Sequence, residues 1–109
     1  MRKESKQLWI KKQEDTYTIG LTPDLQEELG EVNFADITEA EEIEQEETLA
    51  EVETSKTVIE ITAPLSGKII QRNEKADEDP SVLNAEDEQE NWLVVMEDVS
   101  EAQWQQLTE

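Results

Sequence analysis

The 109-residue sequence predicts an all-β-dominated fold, an antiparallel sandwich or flattened barrel with short peripheral helices, one of them C-terminal. Two observations carry that expectation. About eight short runs rich in β-branched and aromatic residues are separated by polar connections, the pattern of a sandwich or barrel. Helix-capping signals are confined to short stretches. At this length the chain reads as one domain, residues 1–109, with a single modest core.

Taken in order, Leu8-Trp9-Ile10 and Tyr17-Thr18-Ile19-Gly20-Leu21 read as strands around the polar turn Gln13-Glu14-Asp15. Tyr17, Ile19 and Leu21 alternate and belong on one face. Thr22-Pro23 opens a short helix, with Thr22 as cap and Pro23 at its first position. Leu25 and Leu29 lie four apart on its inner side, Asp24, Glu27 and Glu28 line its outer side, and Gly30 closes it. Val32 to Ile37 reads as a strand. Thr38 to Thr48 is strongly acidic and reads as a solvated loop with one brief strand around Ile43. Beyond the centre of the chain, Leu65-Ser66-Gly67 makes a turn and Lys68 to Arg72 a strand. Asp79 to Asn84 fits one capped helical turn. Trp92-Leu93-Val94-Val95-Met96 is apolar throughout, which predicts a strand buried on both faces. Ser100-Glu101-Ala102-Gln103 matches a capping box, and Val99 and Trp104 stand where a hydrophobic staple places its partners. The resulting C-terminal helix packs Trp104 and Leu107 onto the sheets.

The other elements are arranged around a hairpin, Leu49 to Pro64. Leu49 and Val52 supply apolar side chains to its first arm, and Val58, Ile59 and Ile61 supply β-branched ones to its second. The tip between them is polar and carries one lysine, Lys56. No other lysine in the chain has this setting. It reads as an amine held out in water to be acylated, the anchor of a prosthetic arm.

The composition excludes much else. The formal charge is −20, which makes nucleic acid and anionic membranes poor partners and a basic protein rim a good one. Self-repulsion of this size predicts stability that rises with salt. There is no cysteine and no histidine, hence no disulfide, no zinc site of the usual ligands, no cysteine nucleophile and no serine–histidine triad. The acidic loop and Asp77-Glu78-Asp79 lack the alternating ligands and central glycine of an EF-hand, so no metal site is assigned. The opening Met1 to Lys6 leads into no apolar segment, and no run is long enough to span a bilayer, so the expectation is a cytoplasmic protein. No base, nucleophile or metal set points to catalysis.

Several short motifs at compatible spacing carry a family resemblance. Val52-Glu53-Thr54-Ser55-Lys56-Thr57, Ala63-Pro64-Leu65-Ser66-Gly67, Pro80 to Asn84 and Asn91-Trp92-Leu93 resemble the H protein of the glycine cleavage system. Tyr17 to Thr22, Gln26, Leu29 and Gly30 fit the same family in the same order. The resemblance spans nearly the whole chain. It implies the barrel-sandwich hybrid fold of lipoyl and biotinyl domains, with lipoate carried covalently on Lys56 as N6-lipoyllysine. A primary amine forms a stable amide with lipoate, and the cofactor supplies the redox and group-carrying chemistry, so the protein needs no catalytic residue. Biotin carriers bracket their lysine with methionines, whereas Ser55 and Thr57 stand here, which favours lipoate. Glu53 matches an acid of the family motif and is assigned, with Ser55 and Thr57, to recognition by the modifying enzyme.

The chain also departs from the family. Where H proteins carry His-Glu-Trp, this chain has Gln7-Leu8-Trp9. The acid replaced by Leu8 is associated in the family with the cleft that shelters the aminomethylated arm, and leucine can neither accept a hydrogen bond nor balance an ammonium. Glycines usual in the acidic loop and before the last strand are missing, Asn91 standing at the latter. These changes point to an H-like paralogue. Such proteins occur in some Gram-positive bacteria beside lipoate-attaching and ADP-ribosylating enzymes. The resemblance therefore implies a lipoyl carrier in lipoate relay or redox-linked ADP-ribosylation, with Glu27 on the acidic helix a candidate ADP-ribose acceptor. Its implied partners are a lipoate ligase or lipoyl transferase, dihydrolipoyl dehydrogenase, and an ADP-ribosyltransferase with a macrodomain protein. The alternatives are a true H protein working with glycine cleavage enzymes and an unmodified acidic interaction module. The expected oligomeric state is monomer.

Overall fold

Alternating apolar residues need a second layer to cover them, and the chain provides it with two sheets. A computed structural model describes residues 1–107. In chain order its strands are β1 (Arg2–Ser5), β2 (Leu8–Gln13), β3 (Thr16–Leu21), β4 (Val32–Ile37), β5 (Glu42–Ile43), β6 (Thr48–Thr54), β7 (Val58–Thr62), β8 (Gly67–Arg72) and β9 (Trp92–Glu97). The helices are α1 (Pro23–Leu29), α2 (Lys75–Glu78) and α3 (Glu101–Gln106), with a 3-10 helix at Pro80–Asn84. One sheet has the order β1-β2-β3-β9-β8-β5 and the other β4-β6-β7, with antiparallel neighbours throughout. The barrel-sandwich architecture expected from the sequence is thus the one found.

The core fills the space between the sheets. Ile10, Ile19 and Leu21 from one side and Leu49 and Val52 from the other are fully buried, with Leu65, Leu83, Leu93 and Met96. Tyr17, Ile19 and Leu21 share one face as their alternation requires. Ile43 is buried in the two-residue β5, an isolated anchor for the acidic loop. Arg72 holds the same loop, donating from its guanidinium to the carbonyls of Thr38 and Ala40, each at 2.5 Å.

The capping signals act as read. The Thr22 hydroxyl accepts from the Leu25 amide, Pro23 opens α1, and Gly30 ends it at φ 70°. Asp79 caps the 3-10 helix by accepting from the Ser81 amide. At α3 the Ser100 hydroxyl accepts from the Gln103 amide at 3.3 Å, but the Gln103 side chain does not return the bond. It reaches instead to Ser66, accepting from that amide at 2.6 Å and donating to its hydroxyl at 3.1 Å. The box is half made because the Ser100 amide is already spent on the Ser66 carbonyl at 3.1 Å, which leaves the glutamine free to bond the same residue.

Three features differ from the sequence reading. The first is β1, formed by four polar residues. Lys3 within it is buried, donating from Nζ to the Trp104 carbonyl at 2.8 Å with the Trp104 ring beneath it at 4.6 Å. The second is α2, a single turn that no capping side chain announces. The third is β9. Leu93, Val94 and Met96 are buried, but Trp92 and Val95 are half-exposed on the outer face of the large sheet, which no second layer covers there.

Candidate functional site

The hairpin at the centre of the sequence is β6 and β7, paired from Thr48 opposite Thr62 to Glu53 opposite Val58. Buried Val52 and Ile61 anchor the arms in the core, so the tip is carried on a rigid support. Ser55, Lys56 and Thr57 are all exposed there. The Lys56 Nζ makes no ion pair or hydrogen bond among the described residues. Lys6, Lys11 and Lys75, by contrast, pair with Glu46, Glu88 and Glu90. Lys68 is exposed as well, but it lies within β8 between Glu42 and Glu97 on the neighbouring strands.

The tip is organised by a residue to which the sequence reading gave no role. Thr54 is buried, and its backbone amide donates to the Thr57 carbonyl at 2.8 Å. Its hydroxyl accepts from the amides of Lys56 and Thr57, both at 3.2 Å, and donates to the Thr57 carbonyl, also at 3.2 Å. The available signal was a β-branched hydroxyl two residues before the tip lysine, the residue type that forms such turns.

Glu53 points outward on β6. Its cross-strand neighbours are Phe34 on β4 and Val58 on β7, respectively 54% and 58% exposed, so the acid sits between two open apolar side chains beside the tip. The next outward row is Asp36, Glu51 and Glu60, three carboxylates side by side across the sheet. Among the described residues this face of the small sheet carries no cation.

On the other side of the hairpin, a groove of about 160 Å³ runs between β7 and the start of α1. Leu8, Leu25, Ile59 and Ile61 supply its apolar wall, and Lys6, Gln7, Glu28, Glu60 and Thr62 its polar rim. Leu8 is 1% exposed, part of the wall and of the core at once. Glu27 is exposed on α1 and does not line the groove, whereas its neighbour Glu28 does. A larger open groove, lined by Glu42, Glu44, Glu47, Lys68 and Asp98, lies at the base of the hairpin, away from Lys56. The structure thus brings together Glu53, Ser55, Lys56 and Thr57, and sets Glu27 apart on α1.

Beneath the groove, the β2–β3 pair fixes the position of Leu8. Trp9 lies on the opposite face of β2 across Gly20, its register partner. The indole Nε1 donates to Asn91 Oδ1 at 2.9 Å, and the Asn91 Nδ2 donates to the Ala85 carbonyl at 2.9 Å. Asn84 and Gln26 tie the same loop to α1 and β4: Asn84 bonds the Val32 amide and the Gly30 carbonyl, and Gln26 donates to the carbonyls of Leu83 and Ala85. Nearby, Glu88 is clasped by Arg2 and Lys11. Burial alone would push the Glu88 carboxyl up, but hydrogen bonds and charge from Lys11 and Arg2 outweigh it and hold the group below the usual carboxylate range.

Comparison with known proteins places these features in context. The family model described as glycine cleavage H-protein matches residues 1–109. The chain is 39% identical over 109 residues to a glycine cleavage system H-like protein of Staphylococcus aureus, covering 100% of this chain and 99% of that one. It is 37% identical over 100 residues to the glycine cleavage system H protein of Thermotoga maritima, covering 91% and 81%. The crystal structure of a glycine cleavage system H protein from Mycobacterium marinum superposes with a TM-score of 0.79 at 28% identity, covering 88% of this chain and 82% of the other.

Proposed function

We propose, from the premise that the chain belongs to the glycine cleavage H-protein family, that it is a single-domain, non-catalytic lipoyl carrier whose attachment point is Lys56. The observation that carries this reading is the free, exposed Nζ at the tip of a hairpin whose arms are locked in the core. Covalently bound lipoate would supply the disulfide redox and group-transfer chemistry that no side chain here provides. The protein's own part is to present the amine, with Glu53 between Phe34 and Val58 as the recognition face and Ser55 and Thr57 as small flanks that leave room for a ligase or transferase. The apolar wall of the groove beside β7 suits the aliphatic part of the arm. Intact mass of protein from lipoate-fed cells tests this reading. A lipoyl increment that vanishes in Lys56→Arg is expected; unmodified protein from cells that lipoylate other carriers would favour the acidic interaction module.

Within the family we place the chain with the H-like carriers. Leu8 puts a core residue where the family carries an acid, so no carboxylate at that position can face an ammonium on the arm, and the groove's acids, Glu28 and Glu60, stand on its rim. The full-length similarity to a protein named H-like supports the same reading. The proposed role is lipoate relay or redox-linked ADP-ribosylation in the cytoplasm, with dihydrolipoyl dehydrogenase, a lipoate ligase or transferase, and an ADP-ribosyltransferase with a macrodomain protein as partners. Glu27 is exposed and available as the ADP-ribose acceptor. The lipoylated protein is expected to support glycine–bicarbonate exchange poorly, and exchange at the rate of an ordinary H protein would restore the glycine cleavage reading. A modified product that persists in Glu27→Gln would remove Glu27 from the scheme.

A further inference from the structure

We infer that Thr54 is the positioning residue of the modification site, and that its single hydroxyl sets the direction in which the Lys56 amine leaves the hairpin. The inference rests on the reading of Lys56 as the acylated residue. A threonine hydroxyl has one proton to donate and two lone pairs to accept with. Here all three are used, on the Lys56 amide, the Thr57 amide and the Thr57 carbonyl. Its donors and acceptor all belong to the tip, and Thr54 is itself buried, so these bonds are partly screened from water.

The arrangement is unusual in one respect. At the end of this hairpin the Thr54 amide donates to the Thr57 carbonyl. The return bond from the Thr57 amide goes to the Thr54 side chain. The same oxygen then takes the Lys56 amide, an orphan in a turn closed only through the backbone. The lysine backbone is thereby fixed through its own N–H, one atom from the Cα that aims the side chain. The exposed hydroxyls of Ser55 and Thr57 do not do this: among the described residues neither accepts from the Lys56 amide.

Acylation makes the fixed direction matter. The Lys56 Nζ must shed a proton and attack the acyl carbon of an activated lipoyl donor, an acyl adenylate or a thioester. A C–N bond forms, the bond to AMP or sulfur breaks, and AMP or the thiol leaves. The side chain is long and flexible, so its backbone is the part of the geometry the carrier can control. Misplacement by about 1 Å can cost roughly a hundredfold in rate.

Thr54→Val keeps the β-branch and removes the hydroxyl; Thr54→Ser keeps the hydroxyl and removes the methyl. With a lipoate ligase and each carrier as varied substrate, Thr54→Val should lose about tenfold or more in kcat/KM, within that same positioning range. The loss should fall mainly in kcat, because the outer recognition face is untouched. Thr54→Ser should recover most of the rate. Equal rates in all three, or a serine variant as slow as the valine one, would overturn the inference. Amide hydrogen exchange on the wild-type protein is a second arm that needs no variant and no ligase. The Lys56 and Thr57 amides should be protected although their side chains are exposed. Exchange at the rate of an open loop would overturn the role of Thr54. A protected tip on a wild-type protein that no ligase modifies would instead count against Lys56 as the attachment site.

Discussion

Gly20→Ala should be among the most damaging single-methyl additions in the chain. Gly20 does not have a positive φ, so the reason is space rather than backbone freedom. A Cβ at this position would lie 2.2 Å from Trp9 Cζ2, 2.3 Å from Cε2 and 2.7 Å from Nε1. Carbon atoms in contact sit about 3.5–4.0 Å apart, so the ring or the strand must move by more than about 1 Å. The ring has little freedom to move: Trp9 is 1% exposed and its indole N–H is spent on buried Asn91. Overpacking typically costs about 1–3 kcal/mol, and leaving the Asn91 acceptor unsatisfied adds about 1–3 kcal/mol. We expect a loss of about 3 kcal/mol, and at about 4–8 °C per kcal/mol for a domain of this size the Tm falls by roughly 12–24 °C. Thermal unfolding by far-UV circular dichroism reads it directly. A double-mutant cycle then isolates the cause, because Trp9→Leu removes the colliding ring and should make the added methyl nearly neutral. A Gly20→Ala protein as stable as the parent, or one equally destabilised in the Trp9→Leu background, would refute the reasoning.

Three further outcomes follow from the same structure. Gln7 sits at φ 66° in the β1–β2 turn, and Gln7→Gly should raise stability by about 1 kcal/mol by removing a left-handed backbone penalty, read as a higher urea midpoint. Glu51 stands between Asp36 and Glu60, and Glu51→Lys should turn two repulsive cross-strand pairs into attractive ones, gaining about 1 kcal/mol at low salt; the gain should shrink in about 1 M salt, where the Debye length is about 3 Å. Glu88 has a depressed carboxyl pKa, so its clasp with Arg2 and Lys11 contributes above the unfolded-state pKa and is lost as pH falls through the lower folded one. Glu88→Gln should therefore lower the Tm at neutral pH and flatten its decline over the acid range, as a pH series of melting curves would show.

The sequence displayed the parts of this fold whose signals are local. Thr22-Pro23, Asp79-Pro80 and Ser100 act as caps because a hydroxyl or carboxylate beside a helix start has few alternatives. Strand β1 was hidden for the opposite reason. Its turn uses Lys6 and Gln7, both at positive φ, where a two-residue hairpin ordinarily calls for Asn or Gly. What holds that turn is distant: the Gln7 carbonyl accepts from the Thr22 amide and hydroxyl, and Lys6 reaches Glu46 and Thr62. Lys3 was illegible in the same way, since a lysine reads as exposed unless the Trp104 carbonyl that accepts its hydrogen bond is known. At the site, Lys56 stood out by its neighbours in sequence. The capture of its amide by Thr54 depends on the turn's conformation, which residue types alone do not specify.

The freedom of Lys56 is the harder thing to explain in this chain, because 29 of its 109 residues are acidic and opposite charges seek one another. The other described cations show the usual result. Arg2, Lys6, Lys11 and Lys75 pair with carboxylates, Lys3 and Arg72 are taken by carbonyls, Lys12 lies against Tyr17, and Lys68 sits between two acidic strand neighbours. Residues 54–59 hold no acid at all, and the acids that bound them, Glu53 and Glu60, face outward from the strands below the tip. A pair with either would bend the lysine back along the hairpin, giving up rotamer entropy for a surface ion pair that contributes about 0–1 kcal/mol at best. The hairpin thus keeps its amine free in two ways: its tip sequence supplies no local acid, and its rigid arms hold Glu53 and Glu60 outward within the paired strands. Among the described residues those two conditions coincide only at Lys56.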